Sequence, residues 1–181
     1  MPNVIGSLSN FMNTLFKDEF INQSVYRINE NTKRIIKCLD EIDETEVWQR
    51  SNENSNSFGN IILHLCGNIT QYAISALGET EDIRMRDKEF SAKDGSTKNE
   101  LAAKLESTVD EAIRIIESLD EARLLKTYSV QGFDLSGIGI IIHVAEHYSY
   151  HTGQIAFWIK QLKNKDLEFY AGVDLNVKNK N

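Results

Sequence analysis

Histidine is the residue type in this chain whose number and spacing best suit metal chemistry. The sequence contains four histidines, and His143, His147 and His151 follow one another at intervals of four residues. On a helix, each step of four advances about 40° beyond a full turn. His147 and His151 therefore share a face, while His143 is rotated about 80° from His151. His64 lies in a separate apolar segment. Two imidazoles from one helix and a third from a facing helix could hold one divalent ion and leave positions open for water or substrate.

The same pattern is also compatible with a purely structural role for the histidines. A buried imidazole is costly unless both ring nitrogens have partners, and a hydrogen-bond network supplies partners as a metal does. An H-x-x-x-H pair alone is therefore a modest indication of a metal. The segment His147-Tyr-Ser-Tyr-His151 lacks the glutamate that follows the first histidine of zinc-protease motifs. That motif, with its glutamate general base, is therefore absent here.

The hydrophobic pattern predicts an all-α fold, a four-helix bundle that forms a single domain over residues 1–181. One proline and ten glycines leave few turns, and apolar residues recur at the spacing of one helix face. Ser57 and Thr97 (or Ser96) are predicted N-caps, with Glu100 completing a capping box. The predicted helices run from about Val4 to Leu39 with a break allowed at residues 17–19, from Ser57 to near Gly78, from Thr97 through Leu119, and from Ser136 to about Lys163.

Two connections and one helix surface complete this expected architecture. The segment from Glu79 to Gly95 is long and polar, and Thr127–Leu135 alternates around Gly132 as a short hairpin would. The fourth helix is apolar nearly all round in its first half, so we expect it to be central and buried.

Composition and charge bear on the partners and the compartment. The net charge is −7 and no basic cluster appears outside a weak C-terminal tail, so no nucleic-acid surface is expected. Cys38 and Cys66 each lie in an apolar helical pattern and are expected to be buried without a disulfide, which fits a reducing compartment. No signal peptide or membrane span is recognisable, and a cytoplasmic protein is expected.

The motifs around the histidines resemble those of the DinB-like metal-binding superfamily. The stretch His147-Tyr-Ser-Tyr-His151-Thr-Gly-Gln-Ile is similar to its fourth-helix motif. The stretch Asn56-Ser-Phe-Gly-Asn-Ile-Ile-Leu-His64-Leu-Cys-Gly-Asn68 resembles its second helix. The ending Lys165-Asp-Leu-Glu-Phe-Tyr170 resembles one subgroup of uncharacterised bacterial members.

The resemblance implies a bundle with up-down-down-up helix directions and a divalent ion, zinc or nickel, bound by His64, His147 and His151. Superfamily members with known chemistry are mostly metal-dependent transferases or isomerases that use a low-molecular-weight thiol such as bacillithiol or mycothiol. The resemblance thus implies a thiol-dependent S-transferase acting on a small electrophile, with both long connections shaping the pocket. Two alternatives stay open: a non-catalytic metal-binding or stress-related protein, and a helical interaction module without metal.

Several neighbours of these histidines are expected to support the site. His143 could be a fourth ligand, an acid/base group or a support for the ligands, and the last is favoured because three ligands already match the motif. Asn68 would face the cavity or form a helix–helix hydrogen bond. Gln154 would accept the free N–H of a ligand histidine, and Gly153 would permit close helix packing. The first helix is rich in aromatic residues, which favours a homodimer through helices; these residues are Phe11, Phe16, Phe20 and Tyr26.

Overall fold

Four long helices pack side by side around an apolar core. The structure, a computed structural model, describes residues 4–180, with side chains described from residue 14 onward. Helix α1 packs against α4 and α6, and α2 packs against the same two helices. The elements in chain order are α1 (Val4–Asp40), a 3-10 helix (Glu44–Glu46), α2 (Phe58–Ile69), a π-helix (Thr70–Leu77), α3 (Arg86–Ser91), α4 (Lys98–Glu117), α5 (Glu121–Leu125), β1 (Thr127–Val130), β2 (Phe133–Ser136) and α6 (Gly137–Lys163).

The predicted all-α bundle is confirmed, and the up-down-down-up order of helix directions stays a prediction. The break allowed at residues 17–19 is wrong, because α1 is continuous to Asp40. Lysine and glutamate there are good helix formers, and neither glycine nor proline interrupts them. The i, i+3, i+4 spacing of Leu8, Phe11, Met12, Leu15 and Phe16 predicts one apolar helix face. Leu15 and Phe16 are nevertheless exposed. The side chains of the other three residues lie outside the described part of the chain.

The predicted helix starts are confirmed by their caps. The Ser57 hydroxyl accepts the N–H of Asn60, and the Thr97 hydroxyl accepts the N–H of Glu100 in a full capping box. Ser136 caps α6 in the same way. The second helical segment ends before Gly78 as predicted, but its last eight residues form a π-helix. That wider winding was not predicted.

The two connections differ in how well the sequence anticipated them. Thr127–Val130 and Phe133–Ser136 form the predicted hairpin. Gln131 and Gly132 both have positive φ at its turn, as a two-residue hairpin turn of the favoured hand requires. The polar segment after Gly78 contains a short helix, α3, that the sequence pattern did not predict.

Helix α6 is central but not buried all round. Ile140, Ile141 and Val144 are buried, whereas Ile142 is 52% exposed. The expectation of a fully buried first half is therefore wrong, because the neighbouring helices cover only part of its circumference. The core includes both cysteines, and Cys38 and Cys66 are buried and free as predicted. Within residues 4–180, no helix combines the length and the hydropathy that a membrane span requires.

Candidate metal centre

Three histidines from two helices converge at one point of the bundle. His64 comes from α2, and His147 and His151 come from successive turns of α6. The ring nitrogens that could serve as ligands all lie within 4.8 Å of one another. The Nε2 atoms of His64 and His147 are 2.9 Å apart. His64 is buried, and the two α6 histidines are partly buried.

The surroundings keep the imidazoles of His147 and His151 neutral. Burial, and after it the neighbouring rings of His151, His64 and His143, together lower the pKa of His147 to about 3. Burial and His64 lower the pKa of His151 to about 4, against a hydrogen bond with Gln154 that raises it. A neutral imidazole has a free lone pair, which is the form that binds metal.

The geometry of the three rings fits a small divalent ion. A tetrahedral zinc with bonds of about 2.0–2.1 Å to nitrogen places its ligand atoms roughly 3.3 Å apart. The 2.9 Å contact between the rings of His64 and His147 is close to that spacing. Three imidazole nitrogen ligands suit zinc, nickel, copper or iron and leave part of the coordination sphere open.

An ion pair lies directly behind His64. The Glu89 carboxylate is 3.0 Å from Nδ1 of His64 and accepts two hydrogen bonds from Arg84, at 2.7 and 2.8 Å. Burial raises the pKa of Glu89, but hydrogen bonds from Arg84 and then His64 outweigh it, so that pKa lies below its usual value. Glu89 is therefore a carboxylate at neutral pH, aimed at the ring nitrogen opposite the convergence point.

His143 lies beside the three converging histidines and not among them. Its ring stacks against Tyr72 at 4.0 Å and, nearly parallel, against His147 at 5.4 Å between ring centroids. The Asn68 amide is 3.3 Å from Nε2 of His143 and donates to it, a contact between α2 and α6. Tyr72 in turn donates to Gln131 at the hairpin turn, at 2.9 Å. Tyr72 of the π-helix, itself hydrogen-bonded to the hairpin turn, therefore packs against the His143 ring.

Gln154 and Gly153 have different relations to the site. The Nδ1 atom of His151 is 2.8 Å from Oε1 of Gln154, the contact that the proposed orienting role of Gln154 requires. Gly153 is exposed, and a Cβ built on it would meet nothing within 4 Å. The expectation that Gly153 permits close helix packing is therefore wrong, because its face of α6 is open.

Sequence reasoning missed Arg84, Glu89, Phe90 and Tyr72. The ring of Phe90 lies 4.8 Å from that of His64, between centroids. Glu89 is 25 residues from His64, inside a segment whose composition indicates only polarity. Gly67 is an indirect indication of the nearby carboxylate, because a Cβ at that position would lie 1.9 Å from the Glu89 carboxylate.

Three solved structures from bacteria have the same fold. A DinB-like protein from Bacillus subtilis has a TM-score of 0.64 and 17% identity, covering 82% of this chain and 96% of that one. One from Bacillus cereus gives 0.60 and 13%, covering 77% and 89%. A conserved protein from Enterococcus faecalis gives 0.68 and 14%, covering 80% and 97%. At these identities the likeness shows the fold alone.

Sequence comparison assigns the family. No curated protein sequence matches the chain. The model of a family described as "Protein of unknown function (DUF1572)" matches residues 16–172. This match spans most of the chain and agrees with the structural likeness to DinB-like proteins. The chain therefore belongs to the DUF1572 family and has a DinB-like fold.

Proposed function

We propose that this protein binds one divalent metal ion, zinc or nickel, through His64, His147 and His151, and uses it in catalysis. The observation that carries the proposal is the convergence of three ring nitrogens from two helices within 4.8 Å. The lowered pKa values of His147 and His151 support it, because both rings are neutral and able to bind metal. When bound, such an ion favours the deprotonated form of a thiol or of water at neutral pH.

The reaction we propose is transfer of a low-molecular-weight thiol to a small electrophile. The nucleophilic sulfur would have to come from a co-substrate, because the chain's own thiols are unsuited. Burial raises the pKa of Cys38 to about 12 and that of Cys66 to about 11. Both side chains are buried in the core. The choice of thiol rests on the resemblance to DinB-like proteins.

The chain's own residues would have three tasks in that reaction. His64, His147 and His151 would hold the ion, and Gln154 would keep the His151 ring oriented through the 2.8 Å contact. His143, held by Asn68 and Tyr72, would form one wall beside the ion. A small-molecule substrate and a cytoplasmic location remain part of the proposal.

A thiol-consumption assay tests the catalytic part of this proposal. Protein loaded with zinc or nickel is mixed with bacillithiol or mycothiol and a panel of small electrophiles, with metal-free protein and His147→Ala as controls. We expect loss of free thiol with the loaded wild type alone. Protein that binds metal and consumes no thiol would contradict the transferase and favour the alternative, a non-catalytic metal-binding or stress-related protein.

A further inference from the structure

The segment between the π-helix and α4 brings one buried carboxylate to the back of His64. We propose that Glu89 is a positioning residue: it accepts the Nδ1–H of His64 and so leaves the Nε2 lone pair directed at the metal position. Arg84 holds that carboxylate in place. The purpose of this arrangement rests on the proposed metal function, but the arrangement itself does not need a metal to be tested.

Burial shows that the contact is enclosed and not a surface ion pair. The side chains of His64, Glu89 and Arg84 are 7%, 10% and 3% exposed. Removing a carboxylate from water is costly unless it is paired and hydrogen-bonded. Glu89 has both kinds of partner, so its position is well defined. Within the six described residues of α3, Glu89 is the buried one.

Helix α3 is fastened so that Glu89 reaches His64. The Asn60 amide, on the first turn of α2, donates to the carbonyl oxygens of Glu89 and Ala92 at 2.9 and 2.8 Å. Arg50 donates to the carbonyl oxygen of Phe90 at 2.6 Å. The Asn60 bonds tie a short helix, which would be unstable alone, to the helix that carries His64, and Arg50 adds to them by donating to both Phe90 and the Asn60 side chain. Their effect is to fix the distance between the carboxylate and the imidazole.

Two proton arrangements of His64 are compatible with the distances, and the hydrogen bonds favour one. Nδ1 is 3.0 Å from the Glu89 carboxylate and 3.1 Å from Nη2 of Arg84. If Arg84 donated to Nδ1, the ring proton would be on Nε2 and would block metal binding. Arg84 already donates to both Glu89 oxygens and to Gln71 at 2.9 Å. The carboxylate is a pure acceptor, so the ring proton belongs on Nδ1.

The first test is the ring proton itself, measured in metal-free protein. Nitrogen-15 NMR at about pH 8, above the ordinary imidazole pKa, reports which nitrogen of His64 is protonated. We expect Nδ1–H in the wild type and a shift toward Nε2–H in Glu89→Gln, whose amide can donate to Nδ1. Glu46→Gln, which alters the Glu46–Lys163 pair elsewhere, is the matched control and should leave His64 unchanged. Nε2–H in the wild type would overturn the proposal.

The second test is metal affinity by competition with a chelator. Glu89→Gln should bind zinc about 10–100-fold more weakly, the usual effect of losing such an orienting group. Gly67→Ala keeps the charge but forces the carboxylate aside, since the new Cβ would lie 1.9 Å from it, and should weaken binding similarly. Glu46→Gln should bind as the wild type does.

The outcomes separate this inference from the proposed function. A wild type that binds no zinc contradicts the metal site, while the NMR result still decides the role of Glu89. A wild type that binds zinc with an affinity unchanged in both Glu89→Gln and Gly67→Ala overturns the positioning role and leaves the metal site standing.

Discussion

At the scale of residues, the site depends on imidazoles that stay neutral because they are partly withdrawn from water. His147 loses solvation and also has three other histidine rings near it, so a proton on it would be doubly unfavourable. His151 is similar, although Gln154 partly compensates by hydrogen bonding. This environment keeps both rings in the neutral form, the form that can bind a metal cation, at pH values somewhat below 7. It also makes the metal-free protein sensitive to acid.

We predict that the metal-free protein loses stability as pH falls from 6.5 toward 4. In the unfolded chain His147 and His151 recover their ordinary pKa of 6.5, whereas in the fold the values are about 3 and about 4. Across that window the unfolded chain binds protons that the folded chain excludes, so acid favours unfolding. Urea unfolding at several pH values measures the effect. A double variant, His147→Gln with His151→Gln, should lose less unfolding free energy between pH 6.5 and pH 4.5, the ordinary pKa of a glutamate carboxyl. An equal loss in the double variant and the wild type would contradict the assignment.

The sequence predicts part of the site because part of it is local. The interval between His147 and His151 follows from helix geometry, and His64 follows from the resemblance of its motif. Glu89 and Arg84 could not be predicted, because their role depends on how a short helix folds back over α2. The ring stack of Tyr72 on His143 depends likewise on the winding of the π-helix.

At the scale of elements, helix starts were predictable and irregular segments were not. Ser57, Thr97 and Ser136 are capping residues whose bonds are made within four residues, so the sequence contains the whole interaction. Helix α3 has only six residues and is fastened by Asn60 and Arg50 from distant positions. Its formation depends on tertiary contacts that no local pattern records.

Two helical glycines, one packed against a neighbour and one facing open space, test the packing around α2 and α6. A Cβ on Gly59 would lie 2.7 Å from the ring of Trp48, whose indole donates to Ser96 and cannot move freely. Gly59→Ala should therefore destabilise the protein by about 1–3 kcal/mol, as overpacking does. Gly153→Ala meets open space and should stabilise it by up to about 1 kcal/mol through helix propensity. Chemical denaturation of both variants measures this; a Gly59→Ala protein as stable as Gly153→Ala would contradict the packing.

At the scale of the whole molecule, the scarcity of helix breakers was enough to predict the bundle. One proline and ten glycines permit few turns in 181 residues, and four long helices account for most of the chain. The order of helix directions could not be derived from spacing, because it depends on how the long connections cross the ends of the bundle. Spacing alone does not determine whether two chains associate either.

The predicted homodimer through helices belongs to this scale. Phe16 is 72% exposed and Tyr26 is 55% exposed on α1, so two aromatic side chains of the first helix are available to a partner. We expect light scattering at micromolar concentration to give the mass of two chains. Phe16→Ser should shift the protein toward monomer, while Phe157→Ser, at a similarly exposed position on α6, should not. A monomeric wild type would refute the dimer.

The central claim is that His64, His147 and His151 together hold one divalent ion, with His143 outside the ligand set. A zinc or nickel competition titration, run on the wild type and on four single alanine variants, tests it most directly. We predict one ion per wild-type chain and no stoichiometric binding by His64→Ala, His147→Ala or His151→Ala. His143→Ala should still bind, about 10–100-fold more weakly at most. Loss of the metal from His143→Ala as complete as from His151→Ala would contradict the three-histidine site, and a wild type without metal after loading would contradict the metal centre itself.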